Sequence, residues 1–455
     1  MIKELVVKQR NYFLSKETRD YKYRKNALNK LRQAINEYEP MLKDALMYDL
    51  GKNEAESYFA EIGIVLKELT YIEKHLKKLM KNKKVKTHLV DFPARSFISP
   101  HPYGVVLVIS PWNYPVMLSL CPVIGAIAAG NTVILKPSEF SAKTSEVLKE
   151  MINSTFNDEY VKVVTGGIST NQELLDQKLD YIFFTGSTNV GKIVMEKAAK
   201  NLTPISLELG GKSPVLVTKD ANVKVAAKRI AFGKYLNAGQ TCVAPDYLFI
   251  HESKKTEFVK YFDEALKQFF GDNPIKSKDF GKIINDKHYT RLLNLMEDEE
   301  AVIGGVTDDS LRKISPTLLD NITYQSKIMQ EEIFGPILPM ITYENIDQCI
   351  NYINKNPNPL ALYLFTSSKE TEERVLNECN FGGGCINDTI MQVASDYLPF
   401  GGVGESGMGS YHGKASFDTF SHFRSILKKS TKIDVQARYA PYTKAKEKLT
   451  KMILK

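Results

Sequence analysis

The sequence is poor in the features that mark secreted, metal-binding or membrane-spanning proteins. Its five cysteines are odd in number and form no CxxC pair, which argues against a disulfide framework and fits a reducing compartment. The seven histidines are scattered, and with no HExxH and no clustered Cys/His set the sequence offers no metal site. No apolar run approaches the ~18–20 residues that span a bilayer. The opening Met1-Ile2-Lys3-Glu4-Leu5 lacks the apolar core and cleavage site of a signal peptide, so a cytoplasmic chain is expected. Zinc-finger spacing, RNP-like aromatic motifs, internal repeats and low-complexity segments are missing, so nucleic-acid binding has no support. The strand-turn-helix run Phe184–Gly191 does not carry GxGxxG, the usual dinucleotide fingerprint.

What remains is an ordinary globular composition, 43% hydrophobic and 25% charged over 455 residues, long enough for two or three domains. The net charge of +8 comes from a lysine excess, concentrated at Lys74–Lys86 and Lys444–Lys455. Both runs read as solvated faces rather than a polyanion site.

Residues 1–82 read as helices. Leu28, Leu31, Ala34 and Ile35 keep helical spacing, as do Met41, Leu42, Ala45 and Leu46, with Pro40 suited to a first turn and Gly51 to a stop. A further helix is expected over Ala55–Leu79; no residue here suggests chemistry, and packing is the expected role. Lys83–Tyr103, with three prolines, reads as a hairpin or extended arm. From 104 to 209, short β-branched runs (Val105–Ser110, Thr132–Leu135, Val161–Thr165, Tyr181–Thr185, Ile205–Leu209) alternate with helical segments at Ser141–Asn153 and Val190–Ala199. This rhythm predicts an α/β fold with a doubly wound, parallel, nucleotide-binding sheet. A second α/β domain follows over 210–411. Short alternation returns at Ser425–Lys429 and Ile433–Ala437, then a lysine-rich, helix-compatible tail.

The chain centres on Gly239-Gln240-Thr241-Cys242-Val243-Ala244-Pro245-Asp246-Tyr247, a cysteine at a helix-to-strand junction. It is either a nucleophile presented by a loop or a packed free thiol. Phe184-Thr185-Gly186-Ser187-Thr188-Asn189-Val190-Gly191 supplies a strand, a Gly-Ser turn and a helix start, which is either a simple turn or a pyrophosphate cradle. Lys136 and Glu139 follow the second strand, where an acid can accept from adenosine ribose hydroxyls or merely complement a helix dipole. A carboxylate there disfavours a 2′-phosphate, so NAD is preferred, while Lys136 leaves NADP open. Leu207-Glu208-Leu209-Gly210-Gly211 puts a carboxylate at a strand end before a diglycine hinge, either a general base of raised pKa or a salt-bridge partner. Pro111-Trp112-Asn113-Tyr114-Pro115 holds an amide donor in a stiff loop. Glu331, Glu332 and Phe334 place two acids and an aromatic in a Gly-Pro loop.

Together PWNYP, LKPSE, FTGSTNVGK, LELGGKSP, GQTCVAPDY, EEIFGP and PFGGVGESGMGSYHG, in that order, resemble the NAD(P)-dependent aldehyde dehydrogenase superfamily, within it the class 3 (fatty or aromatic aldehyde) branch. The match runs from roughly Tyr21 to Tyr442. The resemblance implies Cys242 as nucleophile, Glu208 as the base for the deacylating water, and Asn113 with the Cys242 N–H as oxyanion hole. It implies Lys136 and Glu139 at the adenosine ribose, Ser187 at the pyrophosphate, Glu332 at the nicotinamide ribose and Phe334 near the nicotinamide. Trp112, Gly186, Gly191, Leu209 and Gly210 complete the cofactor set. It divides the chain into an NAD-binding domain (1–82 and 104–209), a catalytic domain (210–411), a small β bridging or oligomerisation element (83–103 and 412–440) and a basic tail (441–455). A homodimer is implied, with NAD, or NADP, as cofactor.

The expected reaction is oxidation of an apolar aldehyde (long-chain, aromatic, or polyene and terpenoid) to its acid through a thioester on Cys242. Tyr114, Met117, Met391 and Val393 are the expected pocket residues. An acylating enzyme that passes the thioester to coenzyme A, and a cysteine esterase without redox chemistry, stay as alternatives. The other cysteines read as packing. In the tail, Tyr439, Tyr442, Leu449, Met452, Ile453 and Leu454 interleave with Lys444, Lys446, Lys448, Lys451 and Lys455, a pattern compatible with peripheral contact to an anionic membrane.

Overall fold

The computed structural model describes residues 2–453. In chain order the strands are β1 (Lys83–Val85), β2 (Ala94–Pro102), β3 (Val105–Ile109), β4 (Thr132–Lys136), β5 (Val161–Val163), β6 (Tyr181–Thr185), β7 (Ile205–Glu208), β8 (Pro214–Val217), β9 (Tyr247–His251), β10 (Glu300–Ile303), β11 (Thr307–Asp308), β12 (Lys313–Ile314), β13 (Thr317–Asp320), β14 (Ile337–Tyr343), β15 (Ala361–Phe365), β16 (Gly383–Ile386), β17 (Gly407–Met408) and β18 (Ser421–Lys429).

The first sheet has the order β17-β7-β6-β3-β4-β5 and is parallel except for β17. Val106 and Val108 of β3 enter one apolar cluster while Val105, Leu107 and Ile109 enter another. Both faces are therefore covered, which is why these strands read as unbroken apolar runs. The chain leaves β3 through β4 and β5 on one side, then returns through β6 and β7 on the other. That reversal opens a crevice between the carboxyl ends of β3 and β6, where doubly wound sheets take their ligands. The expected α/β, doubly wound architecture is present.

The second sheet, β10-β13-β14-β9-β8-β15-β16, is parallel except at β10. The Lys83–Tyr103 stretch forms the expected hairpin, and β18 pairs antiparallel with β2 over its whole length, from Ser421–Pro102 to Lys429–Ala94. β17 lies within 210–411 yet pairs with β7, so the chain returns to the first sheet before residue 411.

Two expectations fail. Pro40 does not open a helix: it sits inside one continuous helix, Tyr21–Leu50. The rung that proline removes is outweighed by the buried stripe of Leu28, Leu31, Ile35, Leu42 and Leu46 on either side. Gly51 is the stop, in the left-handed region at φ 68°. The alternation at Ile433–Ala437 forms no strand; a short 3₁₀ turn, Gln436–Arg438, overlaps its end. The expected Ala55–Leu79 helix is present in three parts: an α turn (Glu54–Ser57), a π turn (Tyr58–Ile62) and an α-helix (Gly63–Leu79). Among the described residues no helix is long and apolar enough to cross a membrane.

Candidate active site

Three chain reversals meet at the carboxyl edge of the first sheet. The loop after β3 carries Trp112 and Asn113, the turn after β6 carries Gly186 and Ser187, and β7 ends at Glu208 before Leu209 and Gly210. With Cys242, Glu332 and Phe334 from the second unit, these residues line a cleft of about 360 Å³. Three expected cofactor residues stand outside that lining. Gly191 packs where an added Cβ would fall 2.7 Å from Leu209 Cδ2, so it sets how closely the helix Thr188–Ala199 lies on the sheet. Lys136 and Glu139 follow β4, one strand over, and pair with each other at 2.8 Å.

The cleft suits a dinucleotide on its own geometry. The helix Thr188–Ala199 starts with Ser187 as N-cap, exposed and making no side-chain cap bond, and has no acid in its first turn. Its free N–H groups face the crevice that the strand reversal opens. At Gly210 a Cβ would fall 2.2 Å from Glu332 Oε2, so only glycine lets that carboxylate lie over the backbone. Trp112 meets Phe334 edge-on at 5.4 Å and His288 at 5.2 Å, making an aromatic flank. Arg291 donates to Glu331 Oε1 and to the carbonyls of Glu332 and Ile333, which fixes the loop that presents Glu332 and Phe334.

Cys242 is half-buried and lines a second space behind the cleft, an apolar pocket of about 190 Å³. Tyr114, Met117, Met391 and Val393 line it as expected, joined by Phe59, Ile64, Phe232, Leu236, Phe400 and Tyr411. No charged side chain is among its lining residues, and Phe59, Phe232 and Met391 are exposed, so the pocket opens to solvent. Tyr114 Oη and Thr241 Oγ1 share a hydrogen bond of 2.7 Å, tying the pocket wall to the cysteine loop.

The N–H groups of Cys242 and Val243 meet the sulfur and favour the thiolate. Burial, and then the Glu332 and Glu208 carboxylates, outweigh them and push the thiol up to about 12. At Glu208 both carboxyl oxygens are buried without a partner, and burial raises its pKa well above the ordinary value. Glu332 is raised to about 8 by burial and then by Asp246, against the Gly211 N–H and Lys212.

Asn113 is held from two directions. Its side-chain amide donates to Gln240 O (3.0 Å), which uses one of the two amide hydrogens, and its main-chain carbonyl accepts from Asn237 Nδ2 (2.8 Å) and Lys52 Nζ (2.9 Å). Lys52 also pairs with Glu61 at 2.6 Å, both fully buried, and Glu56 accepts from the Asn237 N–H at 2.8 Å. Asn237 and Ala238 lie at φ 55° and 51°, a left-handed pair that these bonds hold in place. Packing alone is thus not the role of residues 1–82. Glu56 and Glu61 were missed because charged residues on an amphipathic helix read as solvent-facing, and Lys52 because a lysine in the short link after a helix stop reads as solvated.

A cysteine where an apolar pocket meets a polar cleft at the carboxyl edge of a doubly wound sheet fits an oxidoreductase that takes a dinucleotide. The aldehyde dehydrogenase family model matches residues 2–426. 4,4'-Diaponeurosporen-aldehyde dehydrogenase of Staphylococcus aureus (strain NCTC 8325 / PS 47) is 51% identical over 446 residues, covering 98% of this chain and 97% of that protein. Aldehyde dehydrogenase family 3 member A2 of Pongo abelii is 44% identical, covering 97% and 92%. A solved structure, the substrate-bound state of Staphylococcus aureus AldH, superposes with a TM-score of 0.98 at 50% identity over 100% of both chains. The chain belongs to the aldehyde dehydrogenase family, among its class 3 members. It is an oxidoreductase acting on aldehydes, with NAD or NADP as its cofactor.

Proposed function

We propose that the chain oxidises an apolar aldehyde to the carboxylic acid through a thioester on Cys242. The observation that carries this reading is the position of Cys242 in the wall shared by the polar cleft and the apolar pocket. An aldehyde whose tail fills the pocket would present its carbonyl carbon to the sulfur. The remaining amide hydrogen of Asn113 and the Cys242 N–H would meet the developing alkoxide; one such donor is worth about 3–4 kcal/mol of barrier. When bound, the nicotinamide supplies the hydride acceptor. Glu208, buried and unpaired, would take a proton from water, and that water cleaves the thioester to acid and free thiol. Burial raises its pKa above that of a solvated carboxylate, which makes it the stronger base.

In this reading 1–82 with 104–209 form the cofactor domain and 210–411 the catalytic domain. The helix Thr188–Ala199 with Gly186 and Ser187 would hold the pyrophosphate, with Trp112, Gly191, Leu209 and Gly210 shaping its bed. Glu332 and Phe334 would hold the nicotinamide end, and Lys136 and Glu139 the adenosine ribose. The Glu139 carboxylate beside Lys136 favours NAD over NADP. The uncharged pocket favours apolar aldehydes, and the 51%-identical relative acts on 4,4'-diaponeurosporen-aldehyde.

The bridging element, 83–103 with 412–440, supports a homodimer. β18 and β16 each leave one edge open, and β18 exposes Phe423, Ile426 and Leu427, so a second copy is the partner that pairs them. The tail forms a helix, Lys444–Ile453, exposing Leu449 and Met452 between lysines, which supports peripheral contact with an anionic bilayer. Leu454 and Lys455 lie outside the described residues. Deleting the chain beyond Tyr442 should reduce sedimentation with anionic liposomes; unchanged sedimentation ends that part of the reading.

The central test is a panel of aldehydes assayed for NADH and NADPH formation, with and without coenzyme A. NADH and free acid in equal amounts are expected. Acyl-CoA formation would instead make the enzyme acylating, and ester cleavage without NADH would make it a cysteine hydrolase.

A further inference from the structure

The buried ion pair of Lys52 and Glu61 lies outside every motif that identifies the family, yet it ends on the residue read as the oxyanion donor. Lys52 Nζ donates to Glu61 Oε1 at 2.6 Å and to the Asn113 carbonyl at 2.9 Å, and it sits 4.0 Å from the centre of the Tyr114 ring. Glu61 uses its other oxygen to accept from the N–H groups of Val116 (2.8 Å) and Met117 (3.2 Å). One ion pair therefore pins a loop carbonyl at Asn113, an aromatic pocket wall at Tyr114, and the start of the helix that carries Met117.

The backbone is shaped to deliver this pair. Between Glu56 and Glu61 the helix widens into a π turn, with the Gly63 N–H donating to the Tyr58 carbonyl. In an α-helix, residues five apart are rotated by about 140° and face different ways. A π turn, with its wider i→i+5 repeat, brings such residues back toward one face. Here Glu56 reaches Asn237, which itself donates to the Asn113 main-chain carbonyl, and Glu61 reaches the Val116 N–H of the same loop. Phe59 and Ala60 between them, with Ile64 just beyond, line the apolar pocket. Two fully buried charges are costly to desolvate, and this turn spends them on the loop beside Cys242 rather than on the middle of a core.

We propose that Lys52 and Glu61 are positioning residues for the oxyanion hole, acting on the reaction through the placement of Asn113. This rests on the reading of Asn113 as oxyanion donor. The pair fixes the carbonyl of Asn113 and, through Gln240 O, Asn113 in turn is tied to the cysteine loop. Loosening the pair lets the amide donor drift from the point where the alkoxide forms, and an error near 1 Å costs roughly 10²-fold in rate.

The test is a double-mutant cycle read on the pre-steady-state NADH burst. Lys52→Met would leave Glu61 buried and unpaired and is the variant most prone to misfold. The paired change Lys52→Met with Glu61→Met removes both charges, an exchange that buried ion pairs often tolerate, and Glu61→Gln keeps the side chain's shape. In the wild-type background the paired change should slow the burst roughly 10²-fold with NAD affinity held. In the Asn113→Ala background the same change should alter the burst less than about two-fold, because the group it positions is gone. Equal losses in the two backgrounds would overturn the proposal and leave only a structural role. No loss in the wild-type background for either the paired change or Glu61→Gln would overturn it too. If Asn113→Ala alone leaves the burst intact, the reading of Asn113 fails first and takes this proposal with it.

Discussion

The two spaces that meet at Cys242 could hardly be less alike. On one side the cleft is walled by backbone turns, a helix N-terminus, two raised carboxylates and an amide donor. On the other the pocket is lined by phenylalanine, tyrosine, leucine, isoleucine, methionine and valine, with the Thr241 and Tyr114 hydroxyls tied to each other. The contrast teaches that binding and reaction are separated in space. The pocket supplies non-directional burial that grows with the length of an apolar tail, whereas the cleft supplies fixed dipoles that act only where charge develops. The sulfur belongs to both, which is why a single substitution there should empty the whole site of function.

That contrast can be broken outright by removing the shared group. Cys242→Ala should lower turnover by roughly 10⁴-fold or more, measured as NADH formation at saturating aldehyde, with cofactor binding retained. Any steady NADH production in that variant ends the thioester account.

Removing the base on the cleft side should separate the two halves of the reaction. Glu208→Gln should keep a single burst of NADH and lower steady turnover by about 10²–10³-fold, leaving a thioester on Cys242 that mass spectrometry detects. A variant that turns over normally would put the water-activating group elsewhere.

The pocket side should respond to length rather than to charge. Across straight-chain aldehydes each added methylene should raise kcat/KM about four-fold until the pocket is filled, from about 0.8 kcal/mol per buried CH₂. Ile64→Asn should flatten that slope while changing the rate with the shortest aldehyde little. A slope unaffected by the asparagine would place the tail elsewhere.

The smallest effect is on stability. Burial raises the folded-state pKa of Glu208 above its ordinary value of 4.5, so the native state holds its proton more tightly than the unfolded chain. The stability from that protonated carboxyl is present below pH 4.5 and is lost as pH rises through the raised folded value. Glu208→Gln should therefore melt higher than wild type at pH 8, with the gap closing as pH falls toward 4.5. Equal melting temperatures at both pH values would mean that Glu208 is solvated or paired in solution.

Much of this was legible in residue patterns because it depends on short-range rules. The strands of the first sheet read as apolar β-branched runs because both of their faces are covered, and Thr188–Ala199 read as a helix opening on a turn. Cys242, Glu208 and Asn113 stood out because each is a reactive group beside glycine or proline at an element's end. Illegible were contributions whose meaning lies in a distant partner. Glu56 and Glu61 look like the solvated side of an amphipathic helix, and Lys52 like a solvated link residue, until Asn113 and Asn237 are set against them. Pro40 looks like a helix start until the buried stripe on both sides of it is seen to run through. The thiol's raised pKa is another such case, since Glu332 lies ninety positions downstream of Cys242.

By itself, the sequence determined the α/β alternation and, through seven motifs in order, the family to which the chain belongs, and it singled out Cys242, Glu208 and Asn113 as candidates, because local periodicity and motif order survive in one dimension. Only the tertiary structure decided that one cysteine borders both a polar cleft and an apolar pocket, and that a buried ion pair from the N-terminal segment reaches the loop of Asn113. Those facts follow from long-range packing, and the desolvation of a buried charge is set by neighbours that no stretch of sequence contains.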